Sequence, residues 1–249
     1  NINLEALTIL FMILASLPFV LYLKAIRGKP KDLIVDQQVQ GFFKILVVSI
    51  LIVVFYLFLT SNFTFTEILR YSLFNVTSIL TGTGFTSTNY NDWGTPIILL
   101  FLFITFIGGC AGSTTCGVKI FRLQIVFNNS KEMISKLISP NRVVNKRYNG
   151  EHLSPEITQS VITFLFIFIL TFIVLSILLS FTGLDLLTAF SAAATSISNV
   201  GPGLGQVIGP AYSFSQIPEI AKWLLSFGML AGRLEFLTLI VIFNKSFWR

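Results

Sequence analysis

The chain has 249 residues, 54% of them hydrophobic and only 11% charged, with a formal net charge of +6 and a mean hydropathy of +0.82. Soluble domains carry about 25% charged residues, so this composition marks an integral membrane protein, and its long apolar runs make the expected fold all-α. The basic balance does not signal nucleic acid, because the basic residues gather in the connections between apolar segments, where membrane topology accounts for them.

Long apolar runs cover residues 4–23, 42–59, 97–107 with its continuation, 161–181 and 223–243. Asn1 opens directly onto the first run, without a basic n-region or a small-residue cleavage site, so residues 1–23 are not a signal peptide. The expectation is a chain that begins inside a larger reading frame. Pro18 predicts a kink in the first run. Residues 68–80 and 186–197 are apolar but short. A span needs about 20 residues, and runs of about 10–14 read as re-entrant or buried segments. Each short run ends in a glycine-containing turn: Thr81-Gly82-Thr83-Gly84-Phe85 after the first, Ser198-Asn199-Val200-Gly201-Pro202-Gly203 after the second.

Lys24, Arg27, Lys29, Lys31 and Lys44 lie between the first two runs, Lys119, Arg122, Lys131, Lys136, Arg142, Lys146 and Arg147 between the third and fourth, and Lys245 and Arg249 after the fifth. The opposite connections hold only Arg70 and Lys222, with Glu67, Asp92, Asp185 and Glu219. The positive-inside bias puts the first set in the cytoplasm and the N-terminus outside, so both short runs re-enter from the outer face. The order of span, short helix, glycine turn and span occurs over about 39–127 and again over about 156–243. The chain thus divides into residues 1–38, a closing helix and loop, and two repeats at 39–150 and 151–249. Placing Gly84 on Gly201 aligns Thr83 with Val200 and Thr81 with Ser198. Internal duplication is common in transport proteins.

Backbone carbonyls aimed by such a turn can replace the hydration shell of a cation without trapping it. Glycine supplies the backbone conformations that this needs, and a short helix ending at the turn adds the negative end of its dipole. The competing reading, that both turns are merely tight loops, fits a single TGTG better than two matched copies. Gly201-Pro202-Gly203-Leu204-Gly205 has neither the preceding strand nor the acidic partner of a dinucleotide loop.

The third run breaks at Gly108-Gly109-Cys110-Ala111-Gly112-Ser113-Thr114-Thr115-Cys116-Gly117. Each glycine costs a helix about 1 kcal/mol against alanine. From Pro96 the break begins about 18 Å down. Irregular backbone at that depth is tolerated where protein buries it or where it lines a watery cavity; the alternative is close helix packing through small residues. Cys110 and Cys116 match no zinc or redox spacing and read as packing residues. Arg233 lies about 15 Å into the last run, where an arginine costs about 2.5–3.5 kcal/mol unless it faces a cavity or a partner. Glu235, two positions on, is not on its face. Arg233 is therefore expected to contact the span-three break, through its carbonyls and the Ser113–Thr115 hydroxyls.

Residues 81–93 (TGTGFTSTNYNDW), 108–122 (GGCAGSTTCGVKIFR), 198–205 (SNVGPGLG) and 231–235 (AGRLE) resemble the Trk/Ktr/HKT superfamily of potassium transporters, most closely its TrkH branch, over essentially the whole chain. The resemblance implies potassium-channel-like repeats of helix, re-entrant pore helix, filter loop and helix, with four repeats around one pore. This chain corresponds to the closing helix of repeat two followed by repeats three and four. It implies a K⁺ filter at Thr81, Gly82, Thr83, Gly84 and Phe85 and at Ser198, Asn199, Val200, Gly201 and Pro202, with Gly84 and Gly201 as the filter glycines. It implies a gate at Gly108, Gly109, Gly112, Ser113, Thr114, Thr115, Gly117 and Arg233. It further implies K⁺ as the transported ion, no cofactor, a plasma-membrane location, a homodimer of full-length subunits, and a cytoplasmic nucleotide-binding regulatory subunit for which 131–147 is a candidate contact.

The remaining readings are an alternating-access cation symporter built on the broken helix and a non-transporting membrane scaffold. An enzyme is not expected, since no HExxH, GxSxG or P-loop is present. His152, the one histidine, reads as a solvated loop residue. Asp185 opens the second short run as an N-cap candidate, and Asp92 and Glu219 read as caps or as outer-face charges that concentrate cations.

Overall fold

The first apolar run forms two helices, α1 (Ile2–Ser16) and α2 (Phe19–Ile26), that meet at 95°. Proline lacks an N–H and drives the residue before it out of the helical region, which breaks the run at Pro18; the expected kink is a full corner. The computed structural model describes residues 2–139 and 147–233; Glu235, Arg142, Lys146 and the last part of the fifth apolar run lie outside the described residues.

After a short α3 (Lys31–Val35), α4 (Gln37–Thr60) starts at Asp36, whose carboxylate accepts from the N–H groups of Gln38 and Val39 at 2.8 and 3.2 Å. The first short helix, α5 (Phe65–Leu80), starts at a capping box of Thr64 and Glu67. A 3-10 turn at Tyr90–Trp93 leads into α6 (Thr95–Phe106), and an irregular stretch separates it from α7 (Ile120–Ile138). A small hairpin, β1 (Arg147–Tyr148) and β2 (Glu151–His152), turns on Asn149-Gly150, both at positive φ as a two-residue primed turn requires. Then come α8 (Pro155–Phe181), α9 (Leu186–Ser198) and α10, described over Glu219–Arg233. Asp185 caps α9 by accepting from the Thr188 N–H at 3.2 Å.

Helices α4 and α8 are long and apolar enough to cross a membrane, and α1 with α2 qualifies as a bent pair. The two short helices are enclosed instead. The C-terminal half of α5 and nearly all of α9 are buried, and a helix buried all round belongs inside a bundle. Each sits beside a separate apolar core. One joins α4, α5 and α6 to the α1–α2 corner through Phe42, Val53, Ile79 and Phe101. The other joins α8, α9 and α10 through Phe168, Leu179, Ile197 and Leu225. Outward, α4 and α8 present Leu51, Phe55, Phe166 and Ile169, as faces turned to lipid or further protein do.

The first core is tied to α1 by a bidentate ion pair, in which Arg70 Nε and Nη2 donate to the two Glu5 carboxylate oxygens at 2.5 Å each. Both side chains are mostly sheltered, so the pair should contribute more than a surface salt bridge. Arg70→Gln is expected to lower the thermal midpoint of the detergent-solubilised protein, by removing the bidentate tie between α5 and α1; an unchanged midpoint would mean that α1 is held by packing alone.

Candidate functional site

The two glycine turns are built alike. In the first, the N–H groups of Thr83 and Gly84 both donate to the Ser78 carbonyl, at 2.9 and 3.3 Å. In the second, the Val200 N–H donates to the Thr195 carbonyl at 3.1 Å and the Gly201 N–H to the Thr195 hydroxyl at 2.8 Å. Ser78 and Thr195 each stand six residues before the aligned glycine, so the register that placed Gly84 on Gly201 is also a register of hydrogen bonds. Gly82, Gly84 and Gly201 all have positive φ, as does Asn199, the C-cap of α9. Among the described residues, no donor reaches the carbonyls of Thr81, Gly82, Thr83 and Gly84, or those of Asn199, Val200 and Gly201. Up to the aligned glycine, each turn satisfies its N–H groups within its own repeat and leaves a run of carbonyl oxygens without a donor among the described residues.

The turns also touch each other. A Cβ on Gly84 would run into the Val200 carbonyl and the Pro202 ring, whereas one on Gly201 would meet open space. Gly84 is therefore fixed by contact as well as by conformation, and Gly201 by conformation alone. Phe85 is exposed, while Thr81 and Ser198 are buried, and Thr81 Oγ1 bonds Thr83 Oγ1 at 2.9 Å.

The break between α6 and α7 is ordered by what it bonds. A bridge pairs Ile107 with Val118, and a Cβ on Gly108 would strike the Cys116 carbonyl. The stretch packs against the α1–α2 corner: the Cys110 N–H donates to the Ser16 carbonyl at 3.0 Å, the Thr114 N–H to the Ala15 carbonyl at 3.3 Å, and the Phe19 N–H to the Gly112 carbonyl at 3.0 Å. Two breaks at membrane depth thus satisfy each other's stranded backbone groups. From α4, Gln38 Oε1 accepts from the Ala111 N–H at 2.8 Å.

Arg233 reaches this break, donating from Nη1 to the Thr114 carbonyl at 3.2 Å and to Cys116 Sγ at 3.1 Å. The carbonyl contact matches the sequence expectation; the hydroxyl contacts do not. Thr114 Oγ1 turns to the Ala15 carbonyl, Ser113 Oγ donates to the Cys110 carbonyl at 2.6 Å, and Thr115 Oγ1 accepts from the Gly109 N–H at 2.9 Å. Those hydroxyls hold the stretch in shape, and the sulfur of Cys116 takes the guanidinium. Cys110, wholly buried, is a packing residue. A cavity of about 250 Å³ opens here, lined by residues of the break from Gly112 to Gly117 with Lys119, Arg122, Phe164 and Arg233.

Lys119 and Arg122, read from sequence as topology markers only, belong to this site. Lys119 Nζ donates to the Thr115 carbonyl and, at 3.0 Å, to its hydroxyl. The Arg122 guanidinium lies 3.9 Å from the centroid of the Phe164 ring, a cation–π distance. Also unforeseen is how α10 seats on α9: a Cβ on Gly232 would hit the Ile197 carbonyl, and Asn199 Nδ2 donates to the Met229 carbonyl at 3.0 Å. A small residue every fourth position, Gly228 and Gly232, is the signal that sequence offered for this approach. Of the charges expected at the outer face, Asp92 accepts from Asn89 Nδ2 at 2.8 Å and Glu219 pairs with Lys222 at 2.7 Å. On the opposite side, Tyr148 donates to Gln124 Oε1 at 2.6 Å; burial, then the Asp36 charge, pushes its phenol upward, which keeps it a donor.

This architecture, two enclosed short helices with matched turns above a broken span, is that of a channel-like transport protein. The profile of the TrkH family, described as a cation transport protein, matches residues 1–249, and the chain belongs to that family. It is 45% identical over 240 residues to the Trk system potassium uptake protein TrkI of Halomonas elongata, covering 96% of this chain and 49% of that protein. It is 35% identical over 249 residues to TrkH of Vibrio parahaemolyticus, covering 98% and 50%. The crystal structure of the potassium transporter TrkH from Vibrio parahaemolyticus superposes with a TM-score of 0.93 at 32% identity, over 100% of this chain and 53% of that one. The chain spans about half the length of the curated relatives it matches.

The two turn glycines should differ in tolerance. Gly201→Ala adds only the left-handed backbone strain, about 1–2 kcal/mol, whereas Gly84→Ala adds overpacking against Val200 of about 1–3 kcal/mol more. Thermal unfolding of the purified variants is expected to rank Gly84→Ala below Gly201→Ala; equal midpoints would show that the turns do not touch.

Proposed function

We propose that the protein takes up potassium, with K⁺ as the transported substrate passing between the carbonyls of the turns at Thr81–Phe85 and Ser198–Pro202. One observation carries this reading: two turns in the same hydrogen-bond register each leave consecutive carbonyls without a donor, which is the state that coordination of a dehydrated cation needs. A scaffold would have no use for the duplication. The names of the relatives, Trk system potassium uptake proteins, support the choice of ion. Glycine at both aligned positions, 84 and 201, fits K⁺ in preference to Na⁺.

The pathway is gated, in this reading, by the break from Gly108 to Gly117. Its backbone is held by the α1–α2 corner on one side and by Arg233 on the other. A guanidinium bound to neutral partners keeps its full charge, and a positive charge below the turns raises the barrier to a cation. Two repeats do not close a four-fold pore, so the working unit includes the further length found in the relatives, and two copies of it form a dimer. In the same reading a nucleotide-binding regulatory subunit docks on the cytoplasmic side, with residues 131–147 as its candidate contact. The cargo ion needs no cofactor.

The test is Rb⁺ and Na⁺ uptake in cells lacking their own K⁺ uptake and making the full-length protein. The parent is expected to carry Rb⁺, and Gly84→Ser and Gly201→Ser are expected to abolish that flux or admit Na⁺. Stoichiometric, saturable exchange would favour a carrier, and serine variants that behave like the parent at normal abundance would favour a scaffold. In the same assay Arg233→Ala should raise flux several-fold without changing the Rb⁺-to-Na⁺ ratio; lost expression with unaltered flux per molecule would make Arg233 purely structural.

A further inference from the structure

The chain just beyond each turn glycine is irregular, so its position depends on what its backbone bonds to. Three residues after Gly84, the Ser87 N–H donates to Asn75 Oδ1 at 3.2 Å, and Asn75 Nδ2 donates back to Ser87 Oγ at 2.9 Å. Three residues after Gly201, the Leu204 N–H donates to Ser191 Oγ at 3.0 Å, and that hydroxyl lies 3.2 Å from the Leu204 carbonyl. Asn75 is wholly buried and Ser191 is 2% exposed. The same loop position is thus gripped twice by a buried polar side chain of its own short helix, from Asn75 in one repeat and from Ser191 in the other.

A third grip crosses between repeats. Asn91, in the 3-10 turn of the first repeat, donates from Nδ2 to the Gly205 carbonyl at 2.8 Å and accepts from the Gly205 N–H at 3.2 Å. Its amide closes on both backbone groups of one residue of the second repeat. Gly209 makes the room, since a Cβ there would collide with Asn91 Nδ2. The N–H groups of Leu204 and Gly205 and the Gly205 carbonyl are thus held by side chains, and the one Ser191 proton faces the Leu204 and Thr188 carbonyls at 3.2 and 3.4 Å. Such a linked polar network favours one geometry, because opening it strands groups that are partly or wholly buried.

We infer that Asn75, Ser191 and Asn91 are positioning residues for ion selectivity: they set the spacing of the turn carbonyls without touching the ion. This rests on the potassium-pathway reading. Selectivity by carbonyl replacement depends on the number and placement of the oxygens, so loosening the outer end of a turn should relax discrimination before it stops flux. A merely structural role would lower abundance and leave the ion ratio alone.

The measurement is Rb⁺ and Na⁺ uptake per molecule at the membrane, in cells making the full-length protein with Asn91→Ala, Asn91→Asp or Ser191→Ala, beside the parent and Gly84→Ser. Asn91→Ala and Ser191→Ala are expected to lower the Rb⁺-to-Na⁺ ratio about three- to tenfold, the weight of a lost hydrogen bond or two. Asn91→Asp keeps the shape and the acceptor but loses the donor, so it should fall in the same direction even if the alanine variants fail to accumulate. A ratio that Gly84→Ser shifts while Asn91→Asp and Ser191→Ala leave it unchanged overturns this inference alone. A parent without Rb⁺ flux, or a Gly84→Ser variant that matches it, overturns the pathway reading and this inference with it.

Discussion

A bilayer supplies no hydrogen-bond partners, so every break in a helix at membrane depth must find its own. Among the described residues, two such breaks lie on facing elements. Pro18 frees the carbonyls at the end of α1, and the glycines from 108 to 117 free N–H groups in the third apolar run. The pairings of Ser16 with Cys110, Ala15 with Thr114 and Gly112 with Phe19 answer one deficit with the other. These bonds tie the corner and the irregular stretch into a single structural unit although about ninety residues separate them. The position of α7 and the shape of the cavity beside Arg233 follow from that unit.

The turns solve the opposite problem. They satisfy their N–H groups through Ser78 and Thr195 and leave carbonyls without donors. Two sets of acceptors kept free in the same register are what the proposed cation pathway requires. The grips of Asn75, Ser191 and Asn91 fit the same view, because a strained or underbonded segment persists only where its surroundings over-determine it.

Much of this was legible in the sequence. The lengths of the two short runs, the glycines that follow them and the spacing of 84 on 201 are local properties, and α5, α9 and both turns lie where they predict. The cap at Asp185 and the need of Arg233 for a partner in the span-three break were equally readable from residue type and depth. What sequence could not supply was partner choice across distance. Nothing local distinguishes the Ser113 hydroxyl from the Cys116 sulfur as the acceptor for Arg233, and nothing marks Asn91 as belonging to a glycine 114 residues away. The 95° corner at Pro18 exceeds what proline alone imposes, since its angle depends on the segment that receives its carbonyls. Lys119 and Arg122 were read only by their charge, which hid their place around the cavity.

Adjacent residues of α10 look in two directions. Gly232 bears on the carbonyl of Ile197 at the foot of the second turn, and Arg233 holds the irregular stretch below. A rigid helix that grips both cannot slide for one and stay still for the other. Coupling of that kind is reciprocal by thermodynamic necessity: whatever free energy an event below the turns transmits upward, occupancy of the turns returns downward. In the proposed potassium-pathway reading, an ion resting between the carbonyls would then act as an effector of its own passage, and external cation concentration would enter the control of opening without a separate sensor.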